Sequence, residues 1–177
     1  MAFLGVLNFC FVNKRSFSFK QTPQYFDHFS YFYVKNIENM KIHTTNYSNT
    51  FIEIAEDCPA NFGEIPPVKG EDKSVANIHF DMIRANPYKY TSDEVVFQVF
   101  ALKKDLTAGE MDSEKTAFFS KGQACLRCSP LGKRYGWGIH HDSEGKVAIF
   151  GADSEEYQRF SLDKTLAKTK AMRSKRL

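Results

Sequence analysis

The densest group of reactive side chains in this sequence lies between positions 125 and 141, CLRCSPLGKRYGWGIHH. It holds two thiols, three cations, three glycines, two adjacent histidines and the chain's only tryptophan. Three chemistries use such residues. The first is metal binding, since Cys125-x-x-Cys128 with His140 and His141 has the residue types of a two-thiolate, two-imidazole zinc site. Neighbouring residues on a strand point to opposite faces, so at most one histidine can join the thiols and a fourth ligand must come from elsewhere. No metal is expected. The second is nucleophilic or redox chemistry at Cys125, with His140 or His141 as base. A Cys-x-x-Cys pair signals redox use most strongly beside a βαβ unit at a helix start, whereas this one follows a helix and precedes Pro130. The third is capture of a small anion by Arg127, Lys133, Arg134, Trp137 and His140. Guanidinium groups offer planar forks of donors, and Gly132, Gly136 and Gly138 let backbone approach a ligand closely. The anion gripped by Arg127 and Arg134 is then either a ligand or a carboxylate of the body such as Glu53 or Asp57.

No phosphate-binding loop, dinucleotide fingerprint or nucleophile elbow accompanies these residues. Ser129, before Pro130, reads as a turn residue. Glu53, Glu56 and Asp57 beside Cys58 have the types needed for acid–base work, and equally those of a strand end. The best reading is a protein that binds a small anionic ligand at 125–141. A cysteine-dependent enzyme and an interaction protein without a small ligand stay open beside it, and no cofactor is predicted.

The elements that must position these residues are legible in outline. TFIEIA, Thr50 to Ala55, alternates like a short strand, and the Pro- and Gly-rich stretch to Gly70 is a loop. Ser74 caps a helix whose stripe is Val75, Ile78, His79, Met82 and Ile83, with His79 at the edge of the core. Asn86-Pro87 ends it. Val95 to Leu102, VVFQVFAL, reads as a buried strand. Thr107 to Glu110 is a capping-box pattern for a helix reaching Gly122. Tyr135–His141 and Lys146–Gly151 flank Asp142-Ser-Glu-Gly145 as a hairpin. Ser154 caps a further helix, and a last, basic helix covers Asp163 to Ser174. The fold class is α+β: a single domain with a mainly antiparallel sheet and about four helices.

Composition places limits on partners. The 177 residues are 42% hydrophobic and 25% charged, ordinary for one globular domain. The first 39 residues hold eight of the 17 phenylalanines. They show neither helical periodicity nor a secretion signal, and are expected to be a non-native or flexible leader to a domain at 43–177. From Lys164 to Leu177 there are six basic residues and no acidic one, while Met40 to Asp163 carries 14 basic and 19 acidic residues. Such a tail reads as a solvated helix end, free to dock on its own acidic body; six charges specify no nucleic-acid partner. No apolar run reaches membrane-spanning length. Four cysteines make no disulfide framework, and the expected compartment is the reducing cytoplasm. Nothing in the sequence sets the oligomeric state.

TTNYSNTFIEIAEDCP from Thr44, IPPVKG, NPYKYTSDEVVFQVFA, CLRCSPLGKRYGWGIHHDSEGKVAIFG and the closing AMRSKRL together resemble a family of short bacterial proteins catalogued only as a domain of unknown function. The likeness spans 43–177, and SPLGKRYGWGIH, Ser129 to His140, is its most specific part. It implies a domain start near Met40, a bacterial cytosolic setting and tolerance of other small residues at the position of Cys128. It brings no activity, cofactor or catalytic residue.

Overall fold

The computed structural model describes residues 41–70 and 72–174; the leader expected at 1–39 lies outside them. A four-stranded sheet forms the centre: β1 (Thr50–Glu53), β2 (Trp137–His141), β3 (Val147–Gly151) and β4 (Ala167–Lys170), in the order β3-β2-β1-β4. The β3–β2 and β2–β1 pairings are antiparallel, and β4 runs parallel to β1. Among the described residues five helices pack with it: α1 (Val75–Ala85), α2 (Ser92–Lys104), α3 (Met111–Phe119), α4 (Pro130–Arg134) and α5 (Glu155–Leu162). A single 3-10 turn, Leu126–Cys128, precedes α4. The α+β class and the mainly antiparallel sheet are therefore as the sequence predicts.

The β2–β3 hairpin turns where expected. Asp142 accepts at Oδ1 from the backbone N–H groups of Glu144 and Lys146, and Gly145 supplies the positive φ of 77° that closes the turn. Alternation then sorts the strand residues. Ile52, Trp137, Ile139, Val147 and Ile149 join one core with Ile83, Val95 and Leu131 of the helices. Phe51, His140 and Phe150 meet Tyr157 and Phe160 of α5 on the opposite face.

α1 carries the predicted stripe and a full capping box between Ser74 and Asn77. Residues 95–102 are helical, not a strand. Thr91 accepts from the Glu94 N–H, and the Glu94 carboxylate accepts from the Thr91 N–H, so Thr91-Ser-Asp-Glu94 is itself a capping box. The run is apolar all round because it has two partners: Val95 faces the sheet, while Phe97 and Ala101 form a second cluster with Phe119 of α3. α3 starts beside the Thr107–Glu110 bonds and stops at Phe119, short of Gly122.

The C-terminal segment is a strand, not a basic helix. Ala167 N–H donates to the Asn49 carbonyl and Ala171 N–H to that of Glu53, filling the open edge of β1. Lys168 and Lys170 share the period of two that suits a strand. The tail then docks on acidic residues: Lys170 and Arg173 pair with Glu56, and Ser174 N–H donates to Asp57 Oδ2.

Candidate functional site

The five residues read as one anion site do not converge. Arg127 donates from Nε to the carbonyl of Lys170 at 3.0 Å, which ties that edge of its guanidinium to the backbone of β4. Lys133 and Arg134 sit in the last turn of α4, half-buried and exposed respectively. Trp137 and His140 are three apart on β2 and so face opposite sides of the sheet.

His140 stacks on Phe160 at 4.2 Å between ring centres, and its Nδ1 lies 2.9 Å from the Tyr88 hydroxyl. Tyr88 holds this position with φ of 56°, unusual for a non-glycine residue. Burial lowers the pKa of His140, against the opposing pull of Asp142 and Asp163. His141 is fully buried on the other face, edge-on to Tyr47, and among the described residues neither ring nitrogen has a well-formed hydrogen bond. Burial drives its pKa down to about 4, reinforced by the neighbouring His140. Neither histidine bonds a thiol: Cys125 Sγ lies 3.4 Å from Tyr47 Oη instead. The base expected for Cys125 is thus not assembled. Among the described residues no group of three or more His, Cys, Asp and Glu side chains could hold a metal ion.

Two clefts bring chemistry together. The smaller, about 170 Å³, lies where α1 and α2 meet the segment before α4; Cys125, Cys128, Ser129 and His79 reach it among valines. His79 Nδ1 lies 2.9 Å from Ser129 Oγ, both residues buried, and desolvation brings the His79 pKa to about 4. Ser129 also caps α4 by accepting from the Leu131 N–H. The helical stripe foretells a core histidine at position 79. Nothing in the sequence pairs it with a serine 50 residues on.

The larger cleft, about 370 Å³, opens beside β3, where α1 ends and α5 begins. Trp137 forms part of its wall and is anchored by Nε1 donating to the Glu64 carbonyl at 2.7 Å. The Arg84 guanidinium lies over the indole, 6.0 Å from its centre, a cation–π contact. Arg84 is exposed, and its side chain has neither an ion pair nor a hydrogen bond among the described residues. Asp153 and Glu156 line the same cleft, and Asp153 Oδ1 accepts from the Gly63 N–H at 3.0 Å. Gly63 and Gly151 let two backbones touch there: a Cβ on Gly63 would stand 2.9 Å from both Gly151 Cα and the Trp137 ring. Of the predicted ligand residues only Trp137 reaches this cleft. Arg84 escaped the sequence reading because an arginine in the last turn of a helix is the ordinary complement to the helix dipole.

The chain belongs to the Family of unknown function DUF6157, whose model matches residues 42–177. That agrees with the family resemblance of the sequence. No curated protein and no solved structure matches the chain.

Proposed function

We propose that this member of the DUF6157 family binds a small anionic molecule in the cleft beside Trp137, with Arg84 as the residue that grips the anion. The observation that carries the reading is Arg84 itself: a guanidinium laid on the indole of Trp137, at the mouth of a cleft of about 370 Å³, without a carboxylate partner. Contact with the ring holds the side chain in place, so less rotamer freedom remains to be lost when its donors close on a carboxylate or phosphate. Asp153 and Glu156 across the cleft disfavour polyanions by like-charge repulsion. They favour a monoanion, above all one that also carries an amino group. This relocates the anion site from the 125–141 segment and keeps one residue of it, Trp137. The setting we take for it is the bacterial cytosol that the family resemblance implies, where Cys58, Cys125 and Cys128 would stay reduced.

Trp137 is the chain's only tryptophan, so intrinsic fluorescence reports directly on the cleft. Titration with small carboxylates, phosphate monoesters and α-amino acids should give a saturable change for at least one class, with a matching rise in melting temperature. Arg84→Ala should weaken that binding about tenfold or more, the worth of one charge-assisted bond of ~1.5 kcal/mol. Arg134→Ala, outside the cleft, should leave it unchanged. If none of these compounds moves the emission or the melting temperature, or if Arg84→Ala binds as well as the parent chain, the proposal fails.

A further inference from the structure

The thiols of the smaller cleft are placed for a reaction with one another. Cys125 stands at the cap of the 3-10 turn and Cys128 is its last residue: the Cys128 N–H donates to the Cys125 carbonyl at 2.9 Å, an i to i+3 bond. That bond closes a tight turn through Leu126 and Arg127, and three rises of ~2 Å separate the two Cα atoms by about 6 Å. That falls inside the ~4.4–6.8 Å over which a disulfide can span two Cα atoms. Both residues line the same cleft, so both side chains turn toward one space. Their exposures differ usefully. Cys128 is exposed and open to reagents, whereas Cys125 is half-buried. Cys125 Sγ is steadied by the Tyr47 hydroxyl at 3.4 Å.

We infer that Cys125 and Cys128 form a reversible dithiol–disulfide pair that exchanges with low-molecular-weight disulfides of the glutathione class. In the oxidising direction the Cys128 thiolate attacks one sulfur of the small disulfide. A mixed disulfide forms on Cys128, and one small thiolate leaves. Cys125 loses its proton to solvent and attacks Cys128 Sγ. The mixed disulfide breaks, the 125–128 bond forms and a second small thiolate departs. Two protein thiols are oxidised and one small disulfide is reduced to two thiols, which take up the two protons released. The reverse reaction restores the dithiol. Closure takes Cys125 Sγ out of its bond with Tyr47, whose ring lies edge-on to His141. Oxidation therefore alters the packing around a buried strand residue as well as the cleft.

The test uses the full chain, equilibrated with glutathione over ratios from fully reduced to fully oxidised, then quenched with acid and alkylated. Intact mass and peptide mapping should show loss of the two alkylatable thiols 125 and 128 together, a 125–128 disulfide, and full reversal by excess reduced glutathione. Cys58→Ser should leave this intact. Cys128→Ser should abolish closure and leave Cys125 alkylatable or singly glutathionylated. The inference is overturned if Cys125 and Cys128 stay fully alkylatable at every ratio. It is also overturned if the parent chain stops at a mixed disulfide, or if either thiol pairs instead with Cys10 or Cys58. None of these outcomes depends on the Arg84 cleft.

Discussion

Acid should unfold this protein unusually early, and its histidines set where. His79 and His141 are both buried, and each has its pKa lowered from 6.5 to about 4 because the fold desolvates the imidazole. In the unfolded chain both titrate near 6.5. The fold thus favours the neutral ring. Its contribution is complete above pH 6.5 and is lost as pH falls from 6.5 toward 4. At pH 5 each histidine has cost about 2 kcal/mol, being 1.5 pH units at ~1.36 kcal/mol per unit. Together they remove ~4 kcal/mol, a large share of the ~5–15 kcal/mol that holds a domain together. These two set a limiting slope of two protons, or ~2.7 kcal/mol per pH unit, and His140, also lowered by burial, adds to it. Glu56, Glu110 and Asp163 are held below the usual carboxylate range by hydrogen bonds to Arg173 and Thr107 and to Thr165, so the interval from 6.5 to 5 belongs to histidine. Urea unfolding followed by circular dichroism from pH 7.5 to 5 measures the slope. His141→Leu should reduce it by about one proton, ~1.4 kcal/mol per pH unit, and, because neither ring nitrogen has a well-formed hydrogen bond to lose, should cost no more than ~1 kcal/mol at pH 7.5. Stability that stays flat between pH 7 and 5, or a slope unchanged by His141→Leu, would refute the reasoning.

Two further substitutions test the packing that positions the clefts. Gly138→Ala would place a Cβ 2.6 Å from the rings of Phe51 and Tyr157, and overpacking should cost ~3 kcal/mol in a denaturant titration; a loss under 1 kcal/mol would mean that α5 is free to shift. Asp93→Ala removes four accepted bonds from Thr44, Thr45 and Asn46, one of them from the Thr45 main chain. It should lower stability by ~3 kcal/mol and expose the 44–46 backbone to hydrogen exchange, whereas unchanged exchange would show that the segment is held by other contacts.

Local chemistry was legible in the sequence, and partners distant in the chain were not. The hairpin, the caps at Ser74 and Ser154 and the stripe of α1 each depend on residues within a turn or two, and each appears in the fold. The reading of 95–102 as a strand failed because both faces of α2 are covered, which erases the helical stripe from the hydropathy pattern. The deciding signal was Thr91 to Glu94, directly before the apolar run. The tail failed for a related reason. A strand edge offered by β1, more than 110 residues away, overrides the weak helical preference of 163–174. The candidate site suffered most. Trp137, Arg84 and Asp153 come from β2, α1 and the loop before α5, and His79 meets Ser129 across 50 positions.

The most distinctive stretch of the chain, SPLGKRYGWGIH, is better explained by packing than by a ligand. Ser129 caps α4 and meets His79. Gly136 adopts φ of 68° where a side chain would collide with the Phe62 carbonyl, and Gly138 leaves room for the rings of Phe51 and Tyr157. Trp137 ties the loop at Glu64 to β2. Each of these residue types answers a local steric or hydrogen-bond demand, so their clustering needs no shared substrate. Groups that the fold does not require are better places to seek function. Among the described residues Arg84 has no ion pair, and Cys128 is exposed with no hydrogen-bond partner for its thiol. A guanidinium and a thiol left uncommitted by packing, each at the mouth of a cleft, are what an encounter with another molecule would use.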